Sequence, residues 1–172
     1  MLSSEHAGLA CSLVMEVQKK SYTFEEIKQK MVNYCVYQDR CHQEVEQKMR
    51  DFILIPEAKD EIFLYLIKER YLDEERFTRS YIRGKFNIKH WGRNKIKMHL
   101  KQKGISEKLI ARCMDEIDEY EYEATAIALM QKQFGLIKSG NSYQKKSKVI
   151  SFMLGKGYEY DIIQHLYAEN RL

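Results

Sequence analysis

The sequence is poor in residues that interrupt helices. Glycine occurs 8 times and proline once in 172 residues, together about 5% where about 12% is usual. So little punctuation argues against many short strands and for helices. No uncharged stretch approaches the ~20 residues that a membrane span requires. The run from His6 to Met15 is apolar, but Glu5 precedes it and no Lys or Arg lies before Lys19, so the positive start of a secretory signal is missing. Met15 heads a more ordinary soluble beginning, and residues 1–20 are expected to form a poorly ordered tail. The four cysteines, Cys11, Cys35, Cys41 and Cys113, make no CxxC pair. With no export signal they are expected to stay reduced, in the cytoplasm. Cys41 beside His42 lacks a second ligand pair at metal spacing, so no zinc site is expected. There is no glycine-rich phosphate loop, no GxSxG and no HExxH. The expectation is a protein that is not an enzyme and holds no metal or cofactor.

The chain does hold enough apolar residues, 44%, against 31% charged, to fold as an ordered soluble protein. Apolar residues recur at helical spacing, as in Ile62, Leu66 and Ile67, then Phe77, Tyr81 and Ile82, then Ile96 and Leu100. Pro56, Asp73 with Glu74 and Glu75, and Ser106 with Glu107 suit helix starts. Gly104 and Gly157 follow basic periodic segments, where a C-terminal cap belongs. About nine helices joined by short turns are predicted.

Shifting the sequence by 53 residues lays Lys95–Glu116 on Lys148–Glu169. Lys95 meets Lys148, Lys103 meets Lys156, Gly104 meets Gly157, Ile110 meets Ile163 and Glu116 meets Glu169. The apolar frame agrees too, Ile96 with Val149 and Leu100 with Met153. A fainter copy, shifted by 51, sets Val45 on Ile96 and Met49 on Leu100. The predicted fold is all-α, an elongated array of three tandem three-helix, helix-turn-helix-like repeats that bury one another's apolar faces. The expected units are residues 21–70, 71–118 (the basic one) and 119–172.

Charge is distributed unevenly over these units. From Arg76 to Lys103 there are ten basic residues and no acid: Arg76, Arg79, Arg83, Lys85, Lys89, Arg93, Lys95, Lys97, Lys101 and Lys103. Arg79 and Arg83 are four apart, as are Arg93, Lys97 and Lys101, so each set forms a stripe on its helix. Like charges at that spacing repel unless an acidic partner or polyanion is near. The plainer reading, a solvated face, suits runs of five or six better than one of ten. A second basic stretch runs from Lys138 through Lys145, Lys146 and Lys148 to Lys156. The two together suggest a track for phosphates. Six acids from Asp115 to Glu123 follow directly, however, and offer a second reading, neutralisation of the basic surface within the chain. Among the interleaved aromatics, Phe77, Tyr81 and Phe86 keep core spacing. Trp91, at a junction beside Gly92, is the more open candidate for stacking on an unpaired base.

The run Tyr71-Leu72-Asp73-Glu74-Glu75-Arg76-Phe77-Thr78-Arg79-Ser80-Tyr81, then Gly84-Lys85, Gly92-Arg93-Asn94-Lys95-Ile96 and Leu100 to Ile105, resembles the RecX family of bacterial recombination regulators. The resemblance extends from about Tyr34 to Leu166 and is strongest in the middle unit. Many members carry Gly-Pro where this chain has Trp91-Gly92. What the resemblance implies is a three-unit helical modulator of the RecA–DNA filament, inhibiting ATPase, strand exchange and co-protease activities by binding. Arg76, Arg79, Arg83, Lys85, Lys89, Arg93, Lys95, Lys97 and Lys101 are then the candidate contacts to RecA or DNA, and a monomer is expected. The alternative is a direct DNA-binding protein that lays its basic middle repeat on single- or double-stranded DNA.

Overall fold

The computed structural model describes residues 21–138 and 140–169. The expected tail, residues 1–20 with Cys11, lies outside them. Among the described residues there are nine α-helices, one 3₁₀ turn and no strand, in groups of three. The first group is α1 (Phe24–Tyr37), α2 (His42–Met49) and α3 (Pro56–Lys68). The second is α4 (Glu74–Lys89), α5 (Arg93–Gln102) and α6 (Glu107–Cys113), with the 3₁₀ turn Met114–Glu116 behind it. The third is α7 (Glu119–Leu136), α8 (Ser142–Lys156) and α9 (Tyr160–Glu169). The all-α, three-helix-repeat architecture read from the sequence is the one observed. None of the described helices is long and apolar enough to cross a membrane.

Local signals set the helix ends. Thr23 and Glu26 close a capping box on α1, Asn141 and Gln144 another on α8. Asp73, Ser106 and Asp118 each accept a backbone N–H in the first turn of α4, α6 and α7, and Pro56 opens α3. Each such cap contributes about 1 kcal/mol by satisfying a donor that the helix leaves over. Gly104 at φ +78° and Gly157 at φ +93° turn the chain out of α5 and α8, a conformation that costs a β-carbon dearly. His90 does the same for α4 at φ +51°.

The repeat frame is the packing frame. Val45, Ile96 and Val149 are each 0% exposed, and Met49, Leu100 and Met153 are 1%, 0% and 0% exposed. Equivalent helices therefore bury equivalent residues, which is why the spacing survives while the surfaces diverge. The units do not share their apolar contacts equally. Ile27, Met31, Ile62 and Leu66 of the first unit form a separate core, closed by Leu72 at the junction with the second. Phe77, Ile96, Leu100, Tyr122, Met153 and Ile163 belong to one core running through the second and third units, with Cys41 contributed by the first.

Burial also sets a pH dependence. Cys35, 4% exposed, has its thiol pushed up from 9.0 to about 11 by burial, against opposing fields from Arg40 and Arg76. Burial first and Glu159 second hold the Tyr122 hydroxyl well above the ordinary tyrosine range; burial does the same for Tyr158. The folded chain thus keeps protons that the unfolded chain gives up in alkali, so stability must fall as pH rises above 9 and fall faster above 10. The Cys35 shift alone is worth about 3 kcal/mol once pH passes 11. Urea titrations at successive pH values should show the midpoint dropping through this window, and a Tyr122→Phe chain should lose part of the slope. A midpoint constant from pH 8 to 11 would contradict the assignment.

Candidate functional site

Helix α4 separates the basic residues by type. At 100° per residue Arg76, Arg79 and Arg83 share one face, and Lys85 and Lys89 the opposite one. The arginines are occupied within the chain. Arg76 Nε donates to Asp39 Oδ1 at 2.8 Å and caps the carbonyls of Arg70 and Tyr71. Ser80 Oγ donates to the other Asp39 oxygen at 2.7 Å. Burial alone would raise the Asp39 carboxyl, yet these two donors hold it below the usual range. Arg79 donates to Glu116 at 2.9 Å, Asp115 at 2.9 Å and Glu75 at 3.1 Å, and Glu116 first, then Glu75, keep its guanidinium firmly charged. Glu75 is also paired with Arg112. Arg83 reaches the second oxygen of Glu116 at 3.2 Å.

The seam between the second and third units is made by backbone and by Arg93. Helix α5 begins where α8 ends, so the free N–H groups of one meet the free carbonyls of the other. Gly92 N–H donates to Lys156 O at 2.9 Å and Asn94 N–H to Gly157 O at 3.0 Å. Arg93 N–H donates to the Tyr122 hydroxyl at 3.1 Å, and that hydroxyl donates to Glu159 at 2.6 Å. The Arg93 guanidinium grips both oxygens of Glu119 at 3.2 and 2.6 Å and lies 4.2 Å from the Tyr122 ring centre. Tyr122 is thus core, 0% exposed, while its neighbour Tyr120 is 81% exposed. Two further pairs hold lysines: Lys101 with Glu107 at 2.6 Å, and Lys103 with Glu44 at 2.6 Å, which joins the second unit to the first.

Four of the ten cations remain. Among the described residues no carboxylate pairs with Lys85, Lys89, Lys95 or Lys97. Two of them lie over Trp91. Lys85 Nζ lies 5.2 Å and Lys95 Nζ 4.9 Å from the Trp91 ring centre, and Lys85 also covers Tyr81 at 5.0 Å. Lys95 Nζ donates to Gly155 O at 3.0 Å, and Lys156 Nζ to Lys89 O at 3.3 Å. Lysines of α4, α5 and α8 therefore converge on one corner. Trp91, the most open of the interleaved aromatics by sequence, packs against the core of the second and third units, and His99 stacks on it at 4.6 Å between ring centres. A base would have to displace either His99 or an ammonium group.

The nine residues singled out from sequence thus fall into two sets. Arg76, Arg79, Arg83, Arg93 and Lys101 are tied to acids of the same chain. Lys85, Lys89, Lys95 and Lys97 are left with unbalanced charge, and sequence reasoning did not separate the two groups. The available signal was residue type, since arginine's planar fork suits multidentate carboxylate contacts and lysine's flexible point charge suits a solvated surface. The basic stretch of the third unit adds Lys156 to this corner, and Lys145 and Lys146 lie over the rings of Phe134 and Tyr167 at 5.3 and 4.8 Å. Among the described residues no group of three or more His, Cys, Asp or Glu could hold a metal ion.

Comparison with known proteins finds family models on the second and third groups of helices. Residues 73–114 match the model described as RecX, second three-helix domain, and residues 119–166 the one described as RecX, third three-helix domain. The curated protein "Regulatory protein RecX" of Bacillus cytotoxicus is 26% identical over 163 residues, 95% of this chain and 58% of its own length. Its namesake in Clostridium perfringens is 33% identical over 99 residues, 56% of this chain and 46% of its own length. The chain spans about half the length of these relatives. The crystal structure of RecX from Lactobacillus salivarius superimposes with a TM-score of 0.77 at 25% identity, covering 85% of this chain and 95% of that one. A second crystal structure, of a regulatory protein RecX, gives 0.76 at 22% identity, with 84% and 71% covered.

Proposed function

The chain belongs to the RecX family, and on that footing we propose that it is a regulatory protein that binds the RecA–DNA filament and inhibits RecA's ATPase, strand-exchange and co-protease activities. It works by occupancy, with no chemistry of its own. The observation that carries this reading is the corner of unpaired lysines around Trp91, drawn from two adjacent units. Each of the chain's arginines in the basic run is consumed in holding helices together, so the surplus positive charge is left to lysines, of which Lys85 and Lys95 meet at Trp91. A filament offers both of the complements such a surface needs, DNA phosphate and acidic protein surface.

Direct binding to bare DNA is the less favoured reading. Its third helix, α6, which a helix-turn-helix would send into the major groove, has only seven residues and pairs its first, Glu107, with Lys101. The test is DNA-dependent ATP hydrolysis by the cognate RecA on single-stranded DNA, with this protein titrated in at two salt concentrations. Inhibition well below one protein per RecA, persisting at moderate salt, is the expected result. Inhibition only at DNA-saturating amounts, abolished by salt as for a binder of several phosphates, would replace filament regulation with competition for DNA.

A further inference from the structure

A cleft of about 360 Å³ opens between α4 and the α2 side of the first unit. Its floor is apolar, from Phe77, Tyr81, Gly84 and Ile88, and Lys85, Lys89 and Lys103 stand around it with Glu44, Ser80 and Gln38. Two features of the cleft serve nothing within the chain. Gly84 sits in the middle of a 16-residue helix, where glycine costs about 1 kcal/mol relative to alanine, yet a β-carbon built on it meets nothing within 4 Å. One turn on, Ile88 is 74% exposed. An empty notch beside an exposed aliphatic side chain, with the ammonium groups of Lys85 and Lys89 at its rim unpaired with any carboxylate, has the shape and charge of a docking groove.

We infer that this cleft binds an acidic peptide segment of the partner protein, seating an aliphatic side chain over Gly84 against Ile88 while its carboxylates face Lys85 and Lys89. The inference rests on the reading of the chain as a protein-binding regulator and supplies the chemistry of one contact. A peptide fits better than a nucleic acid strand for three reasons. Phosphates gain nothing from an aliphatic floor. Glu44, at the cleft's edge with Lys103 already on it, repels a phosphate but can accept a peptide N–H. And the Tyr81 ring is covered by Lys85 and Lys103 at 5.0 and 5.8 Å, which leaves it poorly placed to stack a base.

The test uses fluorescence anisotropy with the full chain and two probes: a short fluorescein-labelled peptide of Asp and Glu around a central Leu-Leu pair, and labelled oligothymidylate. Gly84→Leu fills the notch with a better helix former, so its melting temperature should hold or rise, and a loss of binding then reports the cleft and not the fold. The peptide should bind about tenfold more weakly to Gly84→Leu, and about tenfold more weakly to Lys85→Gln/Lys89→Gln. A peptide with Ser-Ser in place of Leu-Leu should lose as much, and oligothymidylate should not respond to Gly84→Leu. Absence of peptide binding to the unaltered chain, or equal binding by Gly84→Leu, would overturn the inference. Loss of oligothymidylate binding in Gly84→Leu would assign the cleft to nucleic acid instead. Filament inhibition is scored separately by ATP hydrolysis, so a failed cleft and a failed regulator give different results.

Discussion

Replacing Gly92 with alanine should cost about 3 kcal/mol or more, through overpacking and lost hydrogen bonds at one seam. A β-carbon there would lie 2.3 Å from the Gly157 carbonyl carbon and 2.4 Å from the Tyr158 nitrogen, backbone atoms that no rotamer change can move aside. The two helix ends must separate. With them go the bonds from Gly92 to Lys156 and from Asn94 to Gly157, and the Arg93–Tyr122–Glu159 chain is strained. For a domain of this size the melting temperature should fall by about 10 °C, and amide exchange should accelerate first at the start of α5. The control is the same chemical change one helix earlier. Gly84→Ala meets open space and should stabilise the chain by about 0.5 to 1 kcal/mol. Equal effects of the two substitutions on melting would refute the account of the seam.

The seam also marks where sequence reasoning stops. Periodicity, caps and the shifts of 53 and 51 residues identify the all-helical repeat, several helix starts and the buried frame of Val45, Ile96 and Val149, because these depend on residues near one another in sequence or repeated by the unit. Asp73, Ser106 and Pro56 stand at the helix starts where the pattern puts them. Gly157 is half legible. Its alignment with Gly104 tells of the left-handed turn both make, but only Gly157 is pressed against another unit, at Lys95. Pairings such as Arg76 with Asp39 or Arg93 with Glu119 cross unit boundaries and follow no period. The acid run from Asp115 to Glu123 supplies Asp115, Glu116 and Glu119 to Arg79, Arg83 and Arg93. Only the folded arrangement of helices shows which cations those acids reach and which they leave.

That sorting of cations decides the mutations that test function. Reversing Arg93, Lys97 and Lys101 to Glu, the stripe that spacing recommends, would break the Glu119 grip and repel Glu107. Inhibition lost in that way says more about the seam than about a partner. Lys85→Glu/Lys89→Glu/Lys95→Glu changes charge by the same amount and breaks no ion pair, giving up one exposed hydrogen bond from Lys95 to Gly155, worth about 1 kcal/mol, and the contacts of Lys85 and Lys95 with the rings of Tyr81 and Trp91, each worth about 0.5 to 1 kcal/mol at an exposed site. This triple variant should melt within a few degrees of the unaltered chain and inhibit RecA ATP hydrolysis about a hundredfold less, since three unbalanced charges facing a polyanionic or acidic surface become three repulsions. Arg79→Gln/Arg83→Gln should do the opposite, lowering the melting temperature by removing both partners of Glu116 while leaving inhibition by the folded fraction unchanged. Inhibition that survives the lysine reversal, or collapses with the arginine pair at temperatures where that variant is folded, would move the contact surface from the Trp91 corner to the arginine face of α4.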